Sequence, residues 1–424
     1  MSHVSTAVHA SFTDAAGSVH LACLASPHVT QTARLRRPGT LQLKGTELKL
    51  STTTRAAAVS SALAATLALA ACGASNEESS GTAGAATSGG SASSSAPELS
   101  GALAGAGSSA QSSAMEAWQA GFEGEQPGVQ FSYDPVGSGS GREQFLSGAV
   151  DFAGSDAALK DEEITAAGER CATADVFELP NYISPIAVAF NLEGVDTLNL
   201  KPATVASIFS GTITSWNDPA IAADNAGVTL PATAITPVHR SDDSGTTDNF
   251  TDYLHQAAAE VWTSEPDGVW PLPGGESANG TTGVIDVVTS TVGAITYADA
   301  SRASDLGVAS IGVGSEFVAP SSEAAAAVVE NSPAVEGRGD YDFAIEVNRL
   351  TEGSGEYPIV LVSYHVGCIQ YDDAAKAANV KAFMQYVISE DGQAASSENA
   401  GSAEISDTLR TQAQTAVDAI TAAG

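Results

Sequence analysis

The sequence contains few basic residues. Its 424 residues include 17 lysines and arginines against 50 aspartates and glutamates, which gives a formal net charge of −33. A surface of this charge repels polyanions, so neither nucleic-acid binding nor adhesion to an anionic membrane is expected. An anionic ligand would have to be held by short-range contacts.

Histidine and cysteine are also scarce, with 7 and 4 residues in the chain. Beyond residue 71 the histidines are His239, His255 and His365, and they lie far apart in the sequence. No Cys-x-x-Cys or His-Glu-x-x-His pair accompanies them, so we expect neither a metal site nor a cofactor. The absence of an internal repeat of about 20 to 50 residues excludes a solenoid.

Residues 1–71 have the features of an export signal. Six basic residues precede an apolar run, Ala56 to Ala71, that is too short to span a bilayer. The run ends in Leu69-Ala70-Ala71-Cys72-Gly73, which resembles the lipobox of bacterial lipoproteins and implies lipidation of Cys72. The alternative is an unlipidated secretory signal. Residues 1–47 are long for such a region, and we expect them to be an extension upstream of the true translation start.

Residues 72–97 form a linker rich in Ser, Gly, Ala and Thr that cannot build a core. From residue 98 onward, short β-rich runs alternate with amphipathic helical runs, which predicts an α/β fold with one large core or two lobes. The predicted strands are Gly128–Tyr133, Ile186–Phe190, Ala234–Val238, Gly293–Tyr297 and Pro358–Tyr364.

Three turns rich in Gly and Ser are each predicted to open a helix. The first is 99–109, followed at helical spacing by Met115, Trp118 and Phe122. The second is 133–141, before Phe145 and Leu146. The third is 238–247, before a stripe formed by Phe250, Tyr253, Leu254 and Ala257. Free backbone N–H groups at a helix start bind tetrahedral oxyanions without net positive charge, although one such turn alone is more often an ordinary cap.

Together with a fourth segment, Val150-Asp151-Phe152-Ala153-Gly154-Ser155-Asp156-Ala157, these turns resemble the phosphate-binding proteins of bacterial ABC importers, in the same order. The family pattern Arg-x-Asp-x-Ser-Gly-Thr is met in full by Arg240 to Thr246. Segments 208–218 and 292–297 extend the resemblance over 98–390. It implies a two-lobed fold of the periplasmic-binding-protein type II, with a mixed sheet flanked by helices in each lobe and the ligand in the interlobe cleft.

The resemblance implies a set of phosphate ligands and one supporting residue. The ligands would be Ser109, Ala110, Ser138, Asp156, Arg240, Ser244, Gly245 and Thr246. Ala110 stands where the family often has an aromatic residue and is the weaker candidate, through its N–H. Asp242 would hold the Arg240 guanidinium. The alternatives are a surface ion pair for Arg240 and Asp242 and, for Asp156, a cap on a helix over 157–167.

The resemblance also sets the expected domains and partners. Lobe I would comprise 98–182 and 358–424, lobe II 183–357, with crossings near Tyr182–Pro185 and Tyr357–Ile359. The protein would be a monomer, lipid-anchored at the extracytoplasmic face of the bacterial membrane, that delivers inorganic phosphate to ABC permease subunits. Outside the cytoplasm, Cys171 and Cys368 of lobe I are expected to pair, the alternative being two buried thiols.

Other function classes remain open at this point. His239 lies five positions before Ser244, with acidic residues between them, which suggests a Ser-His-Asp hydrolase acting on phosphoesters. No Gly-x-Ser-x-Gly elbow accompanies them, and neighbours in one loop seldom reach triad geometry. The same fold could bind another tetrahedral oxyanion, or the chain could be a structural or adhesive surface lipoprotein without saturable anion binding.

Overall fold

The computed structural model describes residues 99–173 and 175–424, so Cys72 and the predicted signal and linker lie outside the described residues. The strands in chain order, β1 to β13, are Gly101–Gly107, Val129–Asp134, Phe152–Ser155, Val176–Phe190, Thr197–Leu200, Thr236–Arg240, Glu276–Ala278, Ala294–Asp299, Gly307–Val313, Glu316–Val318, Val360–Cys368, Gln370–Tyr371 and Thr421–Ala422. The α-helices in chain order, α1 to α11, are Ser112–Glu125, Ser138–Leu146, Asp161–Arg170, Pro202–Phe209, Pro219–Asp224, Gly245–Ala257, Gly280–Ser290, Ser322–Glu330, Ala374–Ile388, Glu390–Ala400 and Asp407–Ala419.

The strands of the mixed sheet run in the order β2-β1-β3-β11-β4-β8-β6-β7, with β9 also pairing β4, β5 and β10. Strands β1, β2 and β3 are mutually parallel, as are β6, β7 and β8, whereas β4 and β11 run antiparallel to each other and to their outer neighbours. The long ladder of β4 and β11 therefore joins a parallel group at either end. This topology fits two lobes, and the lobe boundaries themselves stay a prediction.

Strand β4 differs from its prediction. It begins at Val176, ten residues before the predicted start at Ile186, and all of its residues are buried. The predicted crossing at Tyr182–Pro185 lies inside this strand. The register against β11 shifts between Ser363 and Tyr364. The chain crosses between the sheet groups without leaving the strand, because β4 pairs with β11 up to Pro185 and with β8 from Ile186.

The first Gly/Ser turn is also shorter than predicted, because most of it is strand β1. Small side chains are needed there, since a Cβ on Gly105 would lie 2.3 Å from the Phe152 ring. Helix α1 buries Met115, Trp118 and Phe122 as predicted. One contiguous apolar core runs through the described chain, with two small satellite clusters.

Cys171 and Cys368 are joined in a disulfide with their Cα atoms 5.5 Å apart. Cys171 directly follows α3 and Cys368 ends β11, so the bond ties the helix after Asp156 to the central ladder. The pairing expected from the sequence is therefore the one that the structure contains.

Candidate functional site

The start of α6 carries three of the predicted ligand residues. Ser244 is the N-cap, and its Oγ accepts the N–H of Thr247 at 3.3 Å. Gly245 and Thr246 form the first turn, whose N–H groups and helix dipole favour an anion. A Cβ on Gly245 would lie 2.6 Å from Asp156 Cβ and 2.7 Å from Ser138 Oγ. Glycine therefore lets this helix start approach the other predicted ligands closely.

The first residue of α2 lies close to the start of α6 and to Asp156. Ser138 is its first residue and follows Gly137, whose φ of 99° favours glycine. The Oγ of Ser138 accepts the N–H of Asp156 at 3.1 Å. The N–H of Gly139 donates to the carbonyl oxygen of Asp243 at 3.2 Å. Helix α2 thus connects β3 to the loop that precedes α6.

Asp156 follows β3 and is only 3% exposed. Its Oδ1 accepts the hydroxyl of Ser363 at 2.7 Å, and its Oδ2 accepts the hydroxyl of Thr246 at 3.1 Å. Burial raises the pKa of this carboxyl above its ordinary value, and hydrogen bonds from Ser108 and Ser363 together with the charge of Arg240 offset part of that rise. The carboxylate keeps lone pairs with which it can accept a further hydrogen.

The reading of Asp156 as a helix cap is wrong. Helix α3 begins at Asp161, and its N-cap is Lys160, whose N–H donates to the Glu163 carboxylate at 2.9 Å. The side chain of Asp156 bonds instead to Ser363 of β11 and Thr246 of α6.

Arg240 and Asp242 form a buried ion pair, so their reading as a surface pair is also wrong. The side chains are 2% and 7% exposed. Arg240 Nε donates to Asp242 Oδ1 at 2.8 Å, and Nη2 donates to Oδ2. Burial alone would raise the pKa of Asp242, but the bonds and charge of Arg240 and the N–H of Gly280 hold it below its ordinary value. Asp242 is therefore ionised and fixes the guanidinium.

Ser109 follows β1 and packs against the start of α7. Its Oγ is 3.0 Å from Thr281 Oγ1 and accepts the N–H of Thr281 at 3.1 Å. The neighbouring Gly280 N–H donates to Asp242 at 3.1 Å, which links Ser109 to the ion pair. The N–H of Ala110 donates to Ser108 Oγ at 3.1 Å and is thus already engaged.

The structure gathers the predicted residues into two adjoining groups. Contacts connect Ser138, Asp156, Gly245 and Thr246 in one group, and a second runs from Ser109 through the start of α7 to Asp242 and Arg240. The charge of Arg240 acts on the carboxyl of Asp156 and so couples the two groups. Ala110 is next to Ser109 in the chain, but its N–H already donates to Ser108 Oγ.

Several residues of this region were missed in the sequence. Thr281 repeats the recognised pattern of a glycine and a hydroxyl at a helix start, so that signal was present. Ser363 lies in a buried strand, and nothing in its local sequence marks it. Asn249 Nδ2 donates to the carbonyl oxygens of Asp156 at 2.7 Å and Gly245 at 2.9 Å, and its Oδ1 accepts from the buried Arg349. Asn249 thus joins α6 to the residue after β3, and Arg349 joins α6 to the start of β11.

The geometry around His239 does not form a hydrolytic triad. Its ring stacks on Trp270 with centroids 5.0 Å apart, and its Nδ1 lies 2.9 Å from the carbonyl oxygen of Arg240. The Ser244 hydroxyl is used as the cap of α6. Within the described ranges, no group of three or more His, Cys, Asp or Glu side chains is arranged to hold a metal ion.

The mixed sheet and the convergent helix starts fit a substrate-binding protein, and comparison with known proteins shows this class. The family model described as a PBP superfamily domain matches residues 50–391. Phosphate-binding protein PstS 3 of Mycobacterium leprae is 38% identical over 324 residues, which is 75% of this chain and 86% of the relative. Phosphate-binding protein PstS of Xylella fastidiosa is 31% identical over 299 residues, 69% of this chain and 78% of the relative.

The chain therefore belongs to the PBP superfamily and, within it, to the family of PstS phosphate-binding proteins. Solved structures bear out the fold. A high-affinity periplasmic phosphate-binding protein (PfluDING) bound with phosphate superposes with a TM-score of 0.61 at 21% identity, over 74% of this chain and 93% of that chain. A substrate-binding protein from Clostridium perfringens with bound phosphate gives 0.52 at 18% identity, over 72% and 100%.

Proposed function

We propose that this protein binds inorganic phosphate and delivers it to the permease of an ABC importer. The observation that carries the proposal is the meeting of a buried arginine, a buried acceptor and a helix start at Arg240, Asp156 and α6. The relatives named phosphate-binding protein PstS support the choice of phosphate.

The donors and the acceptor of the site have different roles in this proposal. Arg240, the hydroxyls of Ser109, Ser138 and Ser244, and the N–H groups that begin α6, those of Gly245 and Thr246, would donate to the phosphate oxygens. Asp156 is the exception, since an ionised carboxylate can only accept. It would accept the hydrogen that phosphate still carries near neutral pH. A fully deprotonated oxyanion such as sulfate offers no such hydrogen.

Closure of two lobes around the ligand is part of the proposal. Residues 98–182 would supply Ser109, Ser138 and Asp156, and residues 183–357 would supply Arg240 and the start of α6. The bonds Thr246 to Asp156 and Asn249 to Asp156 already join these segments at 3.1 Å and 2.7 Å. A ligand that bonds to both segments would favour the closed form, which is the form we expect the permease to recognise.

The test is calorimetry of the purified protein, stripped of bound ligand, against phosphate, arsenate, sulfate and molybdate. We expect saturable binding of one phosphate per chain and much weaker sulfate binding. Tighter binding of another oxyanion would reassign the ligand, and no saturable binding would overturn the proposal. Release of phosphate from a generic phosphoester would indicate a hydrolase, and we expect none.

We further propose that the protein acts as a monomer, anchored by a lipid on Cys72 at the extracytoplasmic face of the cell membrane. The proposal for Cys72 rests on the lipobox-like segment before it, which lies outside the described residues. No helix in the described part of the chain is long and apolar enough to cross a bilayer.

A further inference from the structure

A row of buried polar side chains extends from Asp156 into the core. Ser363 of β11 contacts Asp156, Gln111 contacts Ser363, and His365 contacts Gln111. The side chains of Ser363, Gln111 and His365 are all fully buried. None of the three was among the residues assigned to the ligand, and polar groups at such depth require partners.

The hydrogen bonds of this row have a direction. Gln111 places Oε1 3.2 Å from Nε2 of His365 and Nε2 towards Ser363, where the amide also lies 3.5 Å from the Tyr364 carbonyl oxygen. An amide oxygen only accepts, so Nε2 of His365 donates to it. Gln111 Nε2 then donates to Ser363 Oγ. The hydroxyl hydrogen of Ser363 is left to point at Asp156 Oδ1, 2.7 Å away.

A chain of hydrogen bonds that ran the other way, from Asp156 towards His365, is disfavoured at His365. It would require the proton of His365 to reside on Nδ1, which has no hydrogen-bond partner among the described residues. A buried N–H without a partner is rarer than an unpaired acceptor. Burial lowers the pKa of His365 to about 3, so the ring is neutral and carries one proton. Nε2 is therefore the favoured position for that proton.

We propose that His365, Gln111 and Ser363 form a one-way chain of donors that ends on Asp156 and holds it as a hydrogen-bond acceptor for the ligand. The inference rests on the proposed phosphate function. Its consequence is that Ser363, Gln111 and His365, which do not touch the ligand, contribute to anion selectivity through Asp156. When Ser363 donates to Oδ1, the ionised form of Asp156 is stabilised, and only a ligand that carries a hydrogen satisfies the remaining lone pairs.

Other titratable groups also face Asp156 and enter the pH behaviour. Arg240 of β6 contributes a positive charge that favours ionised Asp156. For Tyr133 of β2, burial and then the charge of Asp156 raise the pKa of the phenol. For Tyr182 of β4, burial and then the charge of Asp299 raise it, and Asp156 adds a smaller effect. These phenols are neutral across the physiological range, so the groups that oppose the effect of burial on the pKa of Asp156 are the hydroxyls of Ser108, Ser363 and Thr246 and the charge of Arg240.

The experiment compares phosphate and sulfate affinities of the full protein and its Ser363→Ala variant from pH 5.5 to 8.5. Without the hydroxyl, Asp156 protonates more readily and can then donate to sulfate. The ratio of phosphate to sulfate affinity should fall at least about tenfold at pH 7. The midpoint of the pH dependence of phosphate affinity should also move upward. Ser363→Thr keeps the hydroxyl and should retain the wild-type ratio.

If Ser363 served only to fill space, the effects of the two variants would be reversed. Ser363→Ala would then keep the wild-type affinity ratio because Ala fits the space, and Ser363→Thr would disturb it because Thr overfills the space. Gln111→Met breaks the chain one step earlier and should also lower the ratio, which keeps the test open if Ser363→Thr fails to fold. Ser396→Ala removes an equally buried hydroxyl, paired with Ser402 at 2.7 Å, and serves as the control. An unchanged ratio in Ser363→Ala or Gln111→Met overturns the chain, whereas a wild type that does not bind phosphate overturns the proposed function instead.

Discussion

Arg240→Ala tests the cation of the site most directly. The guanidinium is 2% exposed and held by Asp242 through two bonds. Its removal deletes a charge-assisted contact to the anion, worth about 1.5–3 kcal/mol, and leaves the Asp242 carboxylate buried without its partner. We expect phosphate binding to weaken by about 2–5 kcal/mol, which is roughly 30-fold to 4,000-fold in Kd.

The assay is calorimetric titration with phosphate, accompanied by thermal unfolding of each variant. Arg338→Ala is a matched control, because Arg338 also pairs with buried carboxylates, those of Glu178 and Asp342. It should lower stability with little effect on affinity. Adding Asp242→Ala to Arg240→Ala should recover part of the loss by removing the unpaired charge. A loss below about 0.5 kcal/mol would refute a ligand role for Arg240, since that is the range of a surface residue.

Four further predictions concern the remaining groups. Asp156→Asn, whose amide can donate to either anion, should reduce the phosphate-to-sulfate affinity ratio at least about tenfold, and an unchanged ratio contradicts it. Burial raises the pKa of Asp299 from 3.8 to about 6, so its contribution to stability is fully present below about pH 4 and is lost as pH rises through about 6. The thermal midpoint should therefore vary less with pH between about 4 and 6.5 in Asp299→Asn than in wild type. Thiol titration of the denatured, unreduced domain 98–424 should find neither Cys171 nor Cys368 free, and reduction should cost about 5 kcal/mol for the loop of 197 residues. Cys72→Ala should release the protein from membranes, and a wild type that is already soluble would contradict the anchor.

Helix starts and apolar stripes could be predicted because both are local. Helix α6 begins after the Ser244 cap and buries Phe250, Tyr253 and Leu254. The cap and the helical spacing of these apolar residues are enough to predict the helix and its buried face. Strand β1 was misjudged because its Gly-Ala-Leu-Ala-Gly-Ala-Gly sequence has turn composition. What makes it a strand is its pairing with β2 and β3, where the ring of Phe152 in β3 leaves no room for a side chain at Gly105. That neighbour is distant in the sequence.

In the candidate site too, residues that are close in the sequence could be predicted, and residues brought together by the fold could not. Arg240, Asp242, Ser244, Gly245 and Thr246 could be found together because one loop carries them all. Ser363 lies 207 residues from Asp156, and Thr281 lies 172 residues from Ser109. Asp156 reaches Ser363 because β3, which ends beside Asp156, pairs with β11. Ser109 follows β1, whereas Thr281 lies in the first turn of the helix after β7. A single sequence contains no local signal for such pairs.

The arrangement also accounts for anion binding by a chain with a net charge of −33. The charge of Arg240 is largely balanced by Asp242, so the site does not act as a positive centre. What distinguishes it from the surrounding surface is the direction of its hydrogen bonds. In the proposed site, hydroxyls and helix N–H groups offer donors, and the Asp156 side chain is the group that, when ionised, can only accept. Beyond about 8–10 Å at physiological salt the surface charge is screened, so we expect these short-range directions to decide which anion is retained. On this basis a site can be selective among anions of equal charge, because it distinguishes them by the hydrogen they carry.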